Sequence, residues 1–423
     1  MLDIHWLRQH PQDARERLKT RGRGDEELVD RLLLRDEELR TVIHSVEGLR
    51  AKRNQASREI GLRREREQPP EGLLVEMRTL GKTIEELEGK RQLLEAEVKD
   101  LLLLLPNLPH GTVPIGGDPQ ANQTVRSWGT PRVFSFPPQP HWEIGEARRW
   151  FDFAAAAKLA GSGFALFRGE GARLQRALIR FMLDLHAREH GYTEIWPPFL
   201  VRGEVAVGSG HLPKFADEMY RIPSDDLYLL PTAELALANL HREEVLPESG
   251  LPLRYVAYSP CFRREAGSAG KDTRGLLRIH QFEKVELVQI TRPESSYEAL
   301  EELVHHAEKV LQLLELPYRV TLLCSGDMGF GAAKCYDIEV WAPGVGAWLE
   351  VSSCSNLEDF QARRMNLRCK PDPAGKLRYC HTLNGSGTAL PRLLAALLEN
   401  HQQEDGRVLL PEVFRAYYSK DYL

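Results

Sequence analysis

The 423-residue chain is 42% hydrophobic, with six cysteines and a formal net charge of −5, enough apolar content for two or three packed domains. Its longest aliphatic run, Leu101 to Leu105, is far short of the ~20 residues that a membrane-spanning helix needs. The opening Met1-Leu-Asp-Ile-His5-Trp lacks the basic and apolar segments of a secretory signal, so a cytoplasmic location is expected. The cysteines lack paired CxxC spacing, which predicts buried reduced thiols and no zinc.

Apolar residues at 28, 32, 39, 42, 46, 49, 56 and 60 form a heptad seam interrupted by Arg35 and Arg53. A second seam runs through 73, 77, 80, 84, 87, 94, 98, 101 and 105, with Arg91 in its path. Gln68-Pro-Pro70 breaks the helix between them. The pattern predicts an antiparallel coiled-coil hairpin, each helix of ~35 to 40 residues and roughly 50 to 60 Å. Gly48, Gly61, Gly81 and Gly89 fall inside the predicted helices and weaken them. Arg50, Lys52, Arg53, Arg58, Arg63, Arg64 and Arg66 stand against only Glu59 and Glu65. This basic patch towards the hairpin tip favours RNA phosphate contact over a merely solvated face.

The Pro- and Gly-dense stretch from Pro106 to Pro119 reads as a linker. The expected domains are a helical arm at 1–105, a linker at 106–120 and a catalytic domain at 121–423. A long amphipathic helix is predicted from Gly171 to His186, then a strand around Tyr192 to Trp196 before Pro197-Pro198. Alternating segments at 254–262, 278–290, 319–323, 337–341 and 348–352 suggest a mainly antiparallel sheet flanked by helices, an α+β domain. The sequence contains neither a βαβ dinucleotide fingerprint nor a Walker-type Gly-Lys-Ser/Thr loop.

The most informative stretch is Ser259-Pro-Cys-Phe-Arg263-Arg-Glu265-Ala-Gly-Ser-Ala-Gly270-Lys-Asp-Thr-Arg-Gly275 with Leu-Leu-Arg-Ile-His280-Gln-Phe282-Glu-Lys-Val-Glu286. It reads as strand, glycine-rich basic loop and returning strand, suited to an enclosed polyanion because guanidinium groups grip phosphate oxygens bidentately. Period-two alternation puts His280, Phe282, Lys284 and Glu286 on one face. Phe282 and Glu286 are then ~13 Å apart, a span for a stacked base at one end and a small amine at the other. Taken alone, an ordinary hairpin with an exposed basic loop fits the run about as well.

The run resembles motif 2 of the class II seryl-tRNA synthetases, bacterial type. Thr232-Ala-Glu234, Tyr336-Asp-Ile-Glu-Val-Trp341, Glu350-Val-Ser-Ser-Cys-Ser-Asn356, Phe360-Gln-Ala-Arg-Arg364 and Asn384-Gly-Ser-Gly-Thr-Ala-Leu-Pro-Arg392 resemble the family's other signatures in the same order. The Gly171–His186 helix and the strand after it resemble motif 1, which implies a homodimer. The resemblance covers essentially the whole chain. It implies ATP-dependent activation of L-serine to seryl-adenylate, then transfer to the 3′ end of tRNA(Ser), with tRNA(Sec) as a second acceptor.

By resemblance, Arg263 bridges the serine carboxylate and the α-phosphate, Glu265 holds the adenine edge, Phe282 stacks on the ring and Arg392 reaches the γ-phosphate. Arg263, Glu265 and Arg392 form the implied catalytic set, and Arg264, Ile279, Val351 and Ser352 join the ATP site. Glu350 and Ser353 are implied ligands of the Mg²⁺ that accompanies ATP. Thr232, Ala233, Glu234, Glu286 and Ser386, with Arg263, line the implied serine pocket. The basic patch is the implied contact for the long variable arm of tRNA(Ser), with the acceptor stem entering the catalytic domain.

A pocket that pairs a hydroxyl rejects the analogue lacking it by ~10⁴. Arg392 follows Gly385-Ser-Gly387 and Pro391, so it falls in a helix first turn whose positive end faces anions. The alternative is a non-catalytic, synthetase-like coiled-coil RNA-binding protein, which would be expected to have lost Arg263, Glu265, Phe282, Glu286, Glu350 or Arg392. An amino acid:carrier-protein ligase on the same core would be expected to lack the arm.

Overall fold

The computed structural model describes residues 1–65, 71–266, 274–371 and 375–423. They form two compact units, one of Leu2–Lys19 with Gly24–Pro106, the other of Asn107–Leu423 with Met1 and Thr20–Arg23.

In the helical unit, short helices Ile4–Gln9 and Pro11–Lys19 precede long helices Glu27–Glu65 and Glu71–Leu104. The first is capped by Asp3, whose side chain accepts from the His5 amide at 2.8 Å. The 39-residue helix Glu27–Glu65 is ~58 Å long at 1.5 Å per residue. Its partner runs antiparallel, as the ladder of Arg35 to Glu97 at 3.1 Å and Arg50 to Glu88 at 2.7 Å requires. Both long helices run unbroken through Gly48, Gly61, Gly81 and Gly89.

Val29, Leu32, Leu39, Val42, Val46, Ala56 and Ile60 are buried on the first long helix, and Ile84, Leu94, Val98 and Leu101 on the second. Two details differ from the predicted seam. Val29 is fully buried where position 28 was expected, and the polar interruption is Asp36, not Arg35. Arg35 lies at the seam's edge, where Glu38 and Glu97 neutralise it. Asp36 is only 2% exposed because Arg8 of the first short helix grips it at 2.6 and 2.7 Å and Arg40 adds a contact at 3.1 Å.

In the basic patch, Arg50, Lys52 and Arg58 are exposed and Arg53 is half-buried. The pairing of Arg50 with Glu88 offsets part of its charge. Arg63 and Arg64 lie on the helix with side chains outside the description, and Arg66 lies outside the described residues.

The second unit is built on an eight-stranded sheet. In chain order its strands are β1 (Gln123–Trp128), β2 (Thr193–Glu194), β3 (Leu253–Phe262), β4 (Gln281–Thr291), β5 (Tyr318–Leu322), β6 (Lys334–Ala342), β7 (Ala347–Asn356) and β8 (His381–Ala389). They lie in the spatial order β1-β5-β6-β7-β8-β4-β3-β2. Every pairing is antiparallel except the short β2 with β3. β4 starts three residues later than predicted. The chain before it is turned aside: the His280 amide donates to Gly163 O at 2.7 Å, and Arg278 turns to Glu265.

Helices Glu170–Arg188, Ser296–Leu313 and Leu390–His401 share a large apolar core with the sheet through Leu178, Phe181, Leu303, Ala307, Leu393 and Leu397. Val285 and Leu287 of β4 join that core, whereas Val288 and Ile290 pack with Leu237, Ala257 and Met365 in another. The two sides of β4 thus serve different layers, and the even-numbered side carries Phe282, Lys284 and Glu286.

The stretch read as a linker is stitched to this unit. Asn107 donates from its amide to Phe330 O at 2.9 Å and from its side chain to Gly331 O and Leu357 O, while the His110 amide donates to Ala333 O at 2.8 Å. Prolines bar a helix there but leave the intervening backbone groups available for such pairing. The guanidinium of Arg21, 1% exposed, donates to the carbonyls of Asn107 at 2.9 Å and Ala332 at 2.7 Å. All six cysteines are buried and none is in a disulfide.

Candidate active site

A cavity of about 310 Å³ opens over β4, β7 and β8. Thr232, Glu234, Arg263, Glu265, Ile279, Phe282, Glu350, Val351, Ser353, Ser386 and Arg392 line it, as do His211, Arg278, Lys284 and Asn384. Ala233 is not among the lining residues but is buried in the core with Leu237 and Val288, and Ser352 is buried with its hydroxyl donating to Ser386 O at 2.6 Å. Arg264 is exposed away from the cavity wall, its amide donating to Glu218 O. Glu286 is fully buried behind the wall. Gly267 to Thr273 of the basic run lie outside the described residues.

Register positions the central side chains. β3 and β4 pair Cys261 with Phe282 and Ser259 with Lys284, and β8 pairs Ser386 with Glu286 before a bulge at Gly387–Thr388. Beyond the strand end, the Arg263 amide donates to His280 O at 2.9 Å. Arg263 then lies with its guanidinium carbon 5.1 Å from the Phe282 ring centroid and its Nε 3.4 Å from Pro231 O. Glu265 adopts a left-handed φ of +53°, uncommon for a side-chain-bearing residue, and pairs with Arg278 at 2.5 Å.

A second cluster is nearly dry. Lys284 Nζ lies 2.5 Å from Glu286 Oε2 and donates to Thr232 Oγ1 at 2.8 Å. Glu234 accepts from Gln361 Nε2 at 2.7 Å and Asn384 Nδ2 at 3.0 Å, and Gln361 Oε1 accepts from Thr382 at 2.7 Å. Burial, then the charge of Glu286, pushes the Glu234 carboxyl up to about 7. His211 is pushed down to about 3 by burial and by the cations of Arg263, Lys284 and Arg364, so its imidazole is neutral.

A third group faces anions. Arg392, in the first turn of helix Leu390–His401, donates to Glu350 O at 3.0 Å and Leu277 O at 3.3 Å, with Glu350 Oε2 3.4 Å away. Glu350 is 47% exposed, and Ser353 pairs across the strands with Asp337. Burial and then the charge of Glu350 raise the Asp337 carboxyl well above its usual range. Among the described residues no three His, Cys, Asp or Glu side chains form a metal cage. Glu350 and Ser353 both line the cavity and offer oxygen donors of the kind a hard divalent ion takes.

Sequence reading missed several of these groups. Lys284 shares the period-two face already identified and could have been assigned from it, whereas Arg278 lies before the strand begins and reaches the cavity through Glu265. His211, Asn384, Gln361 and Asp337 carry no spacing signal: Asn384 and Gln361 meet Glu234 only in the fold, and the nearby Ser209 hydroxyl, 3.0 Å from His211 Nδ1, says nothing of the cavity.

The N-terminal domain model of seryl-tRNA synthetases matches residues 1–109, and the class II core model for the G, H, P, S and T enzymes matches residues 218–401. A serine--tRNA ligase of Methylacidiphilum infernorum is 57% identical over 423 residues, covering all of both chains. The chain belongs to the seryl-tRNA synthetases. The crystal structure of such an enzyme from Pyrococcus horikoshii, complexed with ATP, matches with a TM-score of 0.94 at 42% identity, over 100% of this chain and 99% of that one. A cytoplasmic serine-tRNA ligase from Naegleria fowleri in complex with AMP matches with a TM-score of 0.87 at 31% identity, over 100% and 98%.

Proposed function

We propose that this chain activates L-serine with ATP and transfers the seryl group to the 3′ end of tRNA(Ser). The observation that carries this reading is the position of Arg263, between the ring of Phe282 and the Pro231–Thr232 edge of the carboxylate-lined pocket. That is where a cation must stand if a base stacks on Phe282 and an amino acid sits against Thr232 and Glu234. A serine carboxylate oxygen attacks the α-phosphorus, the bond to the β-phosphate oxygen breaks, and pyrophosphate leaves. Such a step is served by positioning and charge rather than by covalent help from the protein.

Arg263 neutralises the carboxylate and α-phosphate as they meet, Glu265 accepts from the adenine amine, and Arg392 takes the distal phosphate. Serine's ammonium is held by Glu234 and Thr232 and its hydroxyl by the Ser386–Glu286 side. Glu350 and Ser353 are the side chains that would hold Mg²⁺, which supplies charge neutralisation of the triphosphate when bound. In the second step a terminal ribose hydroxyl of the tRNA attacks the seryl carbonyl carbon, and AMP departs.

The basic face around Arg50, Lys52, Arg53 and Arg58 supports tRNA binding by the helical arm, because neutralised phosphates supply sequence-independent affinity. A homodimer built around helix Glu170–Arg188 is consistent with Trp196, 69% exposed just beyond β2. A cytoplasmic location belongs to the same reading, and no described helix is long and apolar enough to cross a membrane. Pyrophosphate exchange against a panel of amino acids tests the reading. Exchange should depend on serine, with alanine and threonine far weaker. Exchange driven equally by another amino acid, or none at all with serine, overturns it.

A further inference from the structure

Behind the cavity wall lies a fully buried pair that the reaction does not use. His141 and Glu399 are both 0% exposed, with Nδ1 of His141 2.7 Å from Glu399 Oε1. The His141 amide donates to the same oxygen at 2.9 Å, while the amides of Gly344 and Val345 donate to Oε2 at 2.8 and 3.1 Å. Four donors on a dry carboxylate fix it as a rigid acceptor.

The other imidazole nitrogen settles the tautomer. The Leu276 amide donates to His141 Nε2 at 3.0 Å, so Nε2 carries the lone pair and Nδ1 the proton directed at Glu399. Leu276 and Leu277 line the cavity, and Leu277 O receives Arg392 Nε at 3.3 Å. Gly275, with φ of +64°, approaches so closely that a Cβ there would stand 2.5 Å from His141 Nε2. Next door, the Trp142 ring lies 5.3 Å from the Arg274 guanidinium carbon. Two adjacent side chains of one short helix, His141–Ala147, thus hold the chain where it emerges from the Arg- and Gly-rich run.

We propose that His141 is a positioning residue for nucleotide binding. It relays the fixed Glu399 carboxylate to the Leu276 amide, and thereby sets Leu276, Leu277 and, through the Leu277 carbonyl, Arg392 against the ATP phosphates. The inference rests on the cavity being the ATP site. It concerns ATP and not serine, because no contact of His141, Glu399 or Leu276 described above reaches the Thr232–Glu234–Lys284 cluster.

Two conservative variants of the full chain separate a relay from mere core support. His141→Asn keeps a donor near the Nδ1 position for Glu399 but loses the acceptor for Leu276. His141→Gln places its carbonyl near the Nε2 position and keeps that acceptor. In pyrophosphate exchange, His141→Asn should raise the ATP KM by about tenfold, as expected for a buried amide left without its partner, with serine KM within about twofold. His141→Gln should restore most of the difference.

Hydrogen exchange at the Leu276 amide should follow the same order, faster in His141→Asn than in His141→Gln, which reads the tether even if one variant is less stable. Equal ATP KM values for the two variants, or a larger defect in His141→Gln, would overturn the proposal in favour of a structural pairing with Glu399. Phe282→Ala is the control. If it too leaves the ATP KM unchanged, the cavity is not the ATP site. If it raises the ATP KM while neither His141 variant does, only the relay fails.

Discussion

Lys284→Met tests whether the floor of the serine pocket is electrostatically closed. Methionine matches the lysine stem in length but removes the ammonium that lies 2.5 Å from Glu286 Oε2 and 2.8 Å from Thr232 Oγ1. Glu286 is 0% exposed, and Asn384 Nδ2, 3.5 Å from Oε1, is a donor only at the edge of hydrogen-bonding range. Removing one partner of a buried ion pair costs about 3–5 kcal/mol, because the remaining charge stays dry and uncompensated. At about 2–4 °C per kcal/mol for a domain of this order of size, the melting temperature of the catalytic unit at pH 8 should fall by roughly 10 °C.

The same substitution reaches the substrate. Lys284 is one of the charges that lower the Glu234 carboxyl, which already sits at about 7 through burial and Glu286. Without Lys284 a larger fraction of Glu234 is protonated at neutral pH, and serine's ammonium loses its carboxylate. Serine KM should rise severalfold in pyrophosphate exchange, with ATP KM nearly unchanged. Lys284→Met/Glu286→Gln should recover most of the stability, since it removes both charges, and its serine KM should stay raised only through the lost Glu286 contact, because the Glu234 carboxyl loses both the charge that raises it and the one that lowers it. If Lys284→Met melts with wild type at pH 8, or the double variant recovers nothing, the buried pair is not what holds this pocket.

Glu234 itself predicts a pH dependence. Its folded value of about 7 lies above the ~4.3 of an unfolded glutamate, so the native state holds the extra proton between them, and its stabilising contribution is lost as pH rises towards 7. The urea midpoint of wild type should therefore drop more between pH 5 and pH 8 than that of Glu234→Gln. In the arm, a Cβ at Gly48 or Gly89 would meet nothing within 4 Å, so alanine at each should stabilise its helix by about 1 kcal/mol, read as a later 222 nm helical melt. Replacing Asp30–Asp100 by a short linker should leave serine-dependent pyrophosphate exchange within a few-fold and abolish transfer to tRNA. Full aminoacylation by the armless enzyme at ordinary tRNA concentration would move tRNA recognition elsewhere.

What the sequence displayed and what it hid divide along a physical line. The two heptad seams are local, because side chains three and four apart meet on one helix face whatever lies opposite. They were therefore readable to within a residue. Asp36 was not, because its burial depends on Arg8, 28 positions away on another helix. The catalytic strand shows the same division. Alternation alone put Phe282, Lys284 and Glu286 on one face, but only the fold brings Thr232 to Lys284 across 52 positions and Glu399 to His141 across 258. A lone buried histidine has no pattern, and its partners become visible only when distant chain is packed around it.

Register explains why that face can form a pocket at all. The three large side chains on β4 face small neighbours on β3: Phe282 stands opposite Cys261, Lys284 opposite Ser259 and Glu286 opposite Ala257. On the other flank β8 offers Ser386 to Glu286 and Ala389 to Lys284, with the bulge between them. Cross-strand neighbours are only about 4.5–5.5 Å apart at Cβ, so large residues at those positions would fill the space over β4. Small ones leave room for the Lys284 ammonium and the Phe282 ring to reach one cavity, with Glu286 buried against Lys284 behind its wall. A one-residue slip of either neighbour would turn those small side chains to the opposite face. The hydrophobic alternation that buries Val285 and Leu287 therefore also keeps the polar face open, so the packing of the core and the shape of the proposed serine and ATP sites depend on the same register.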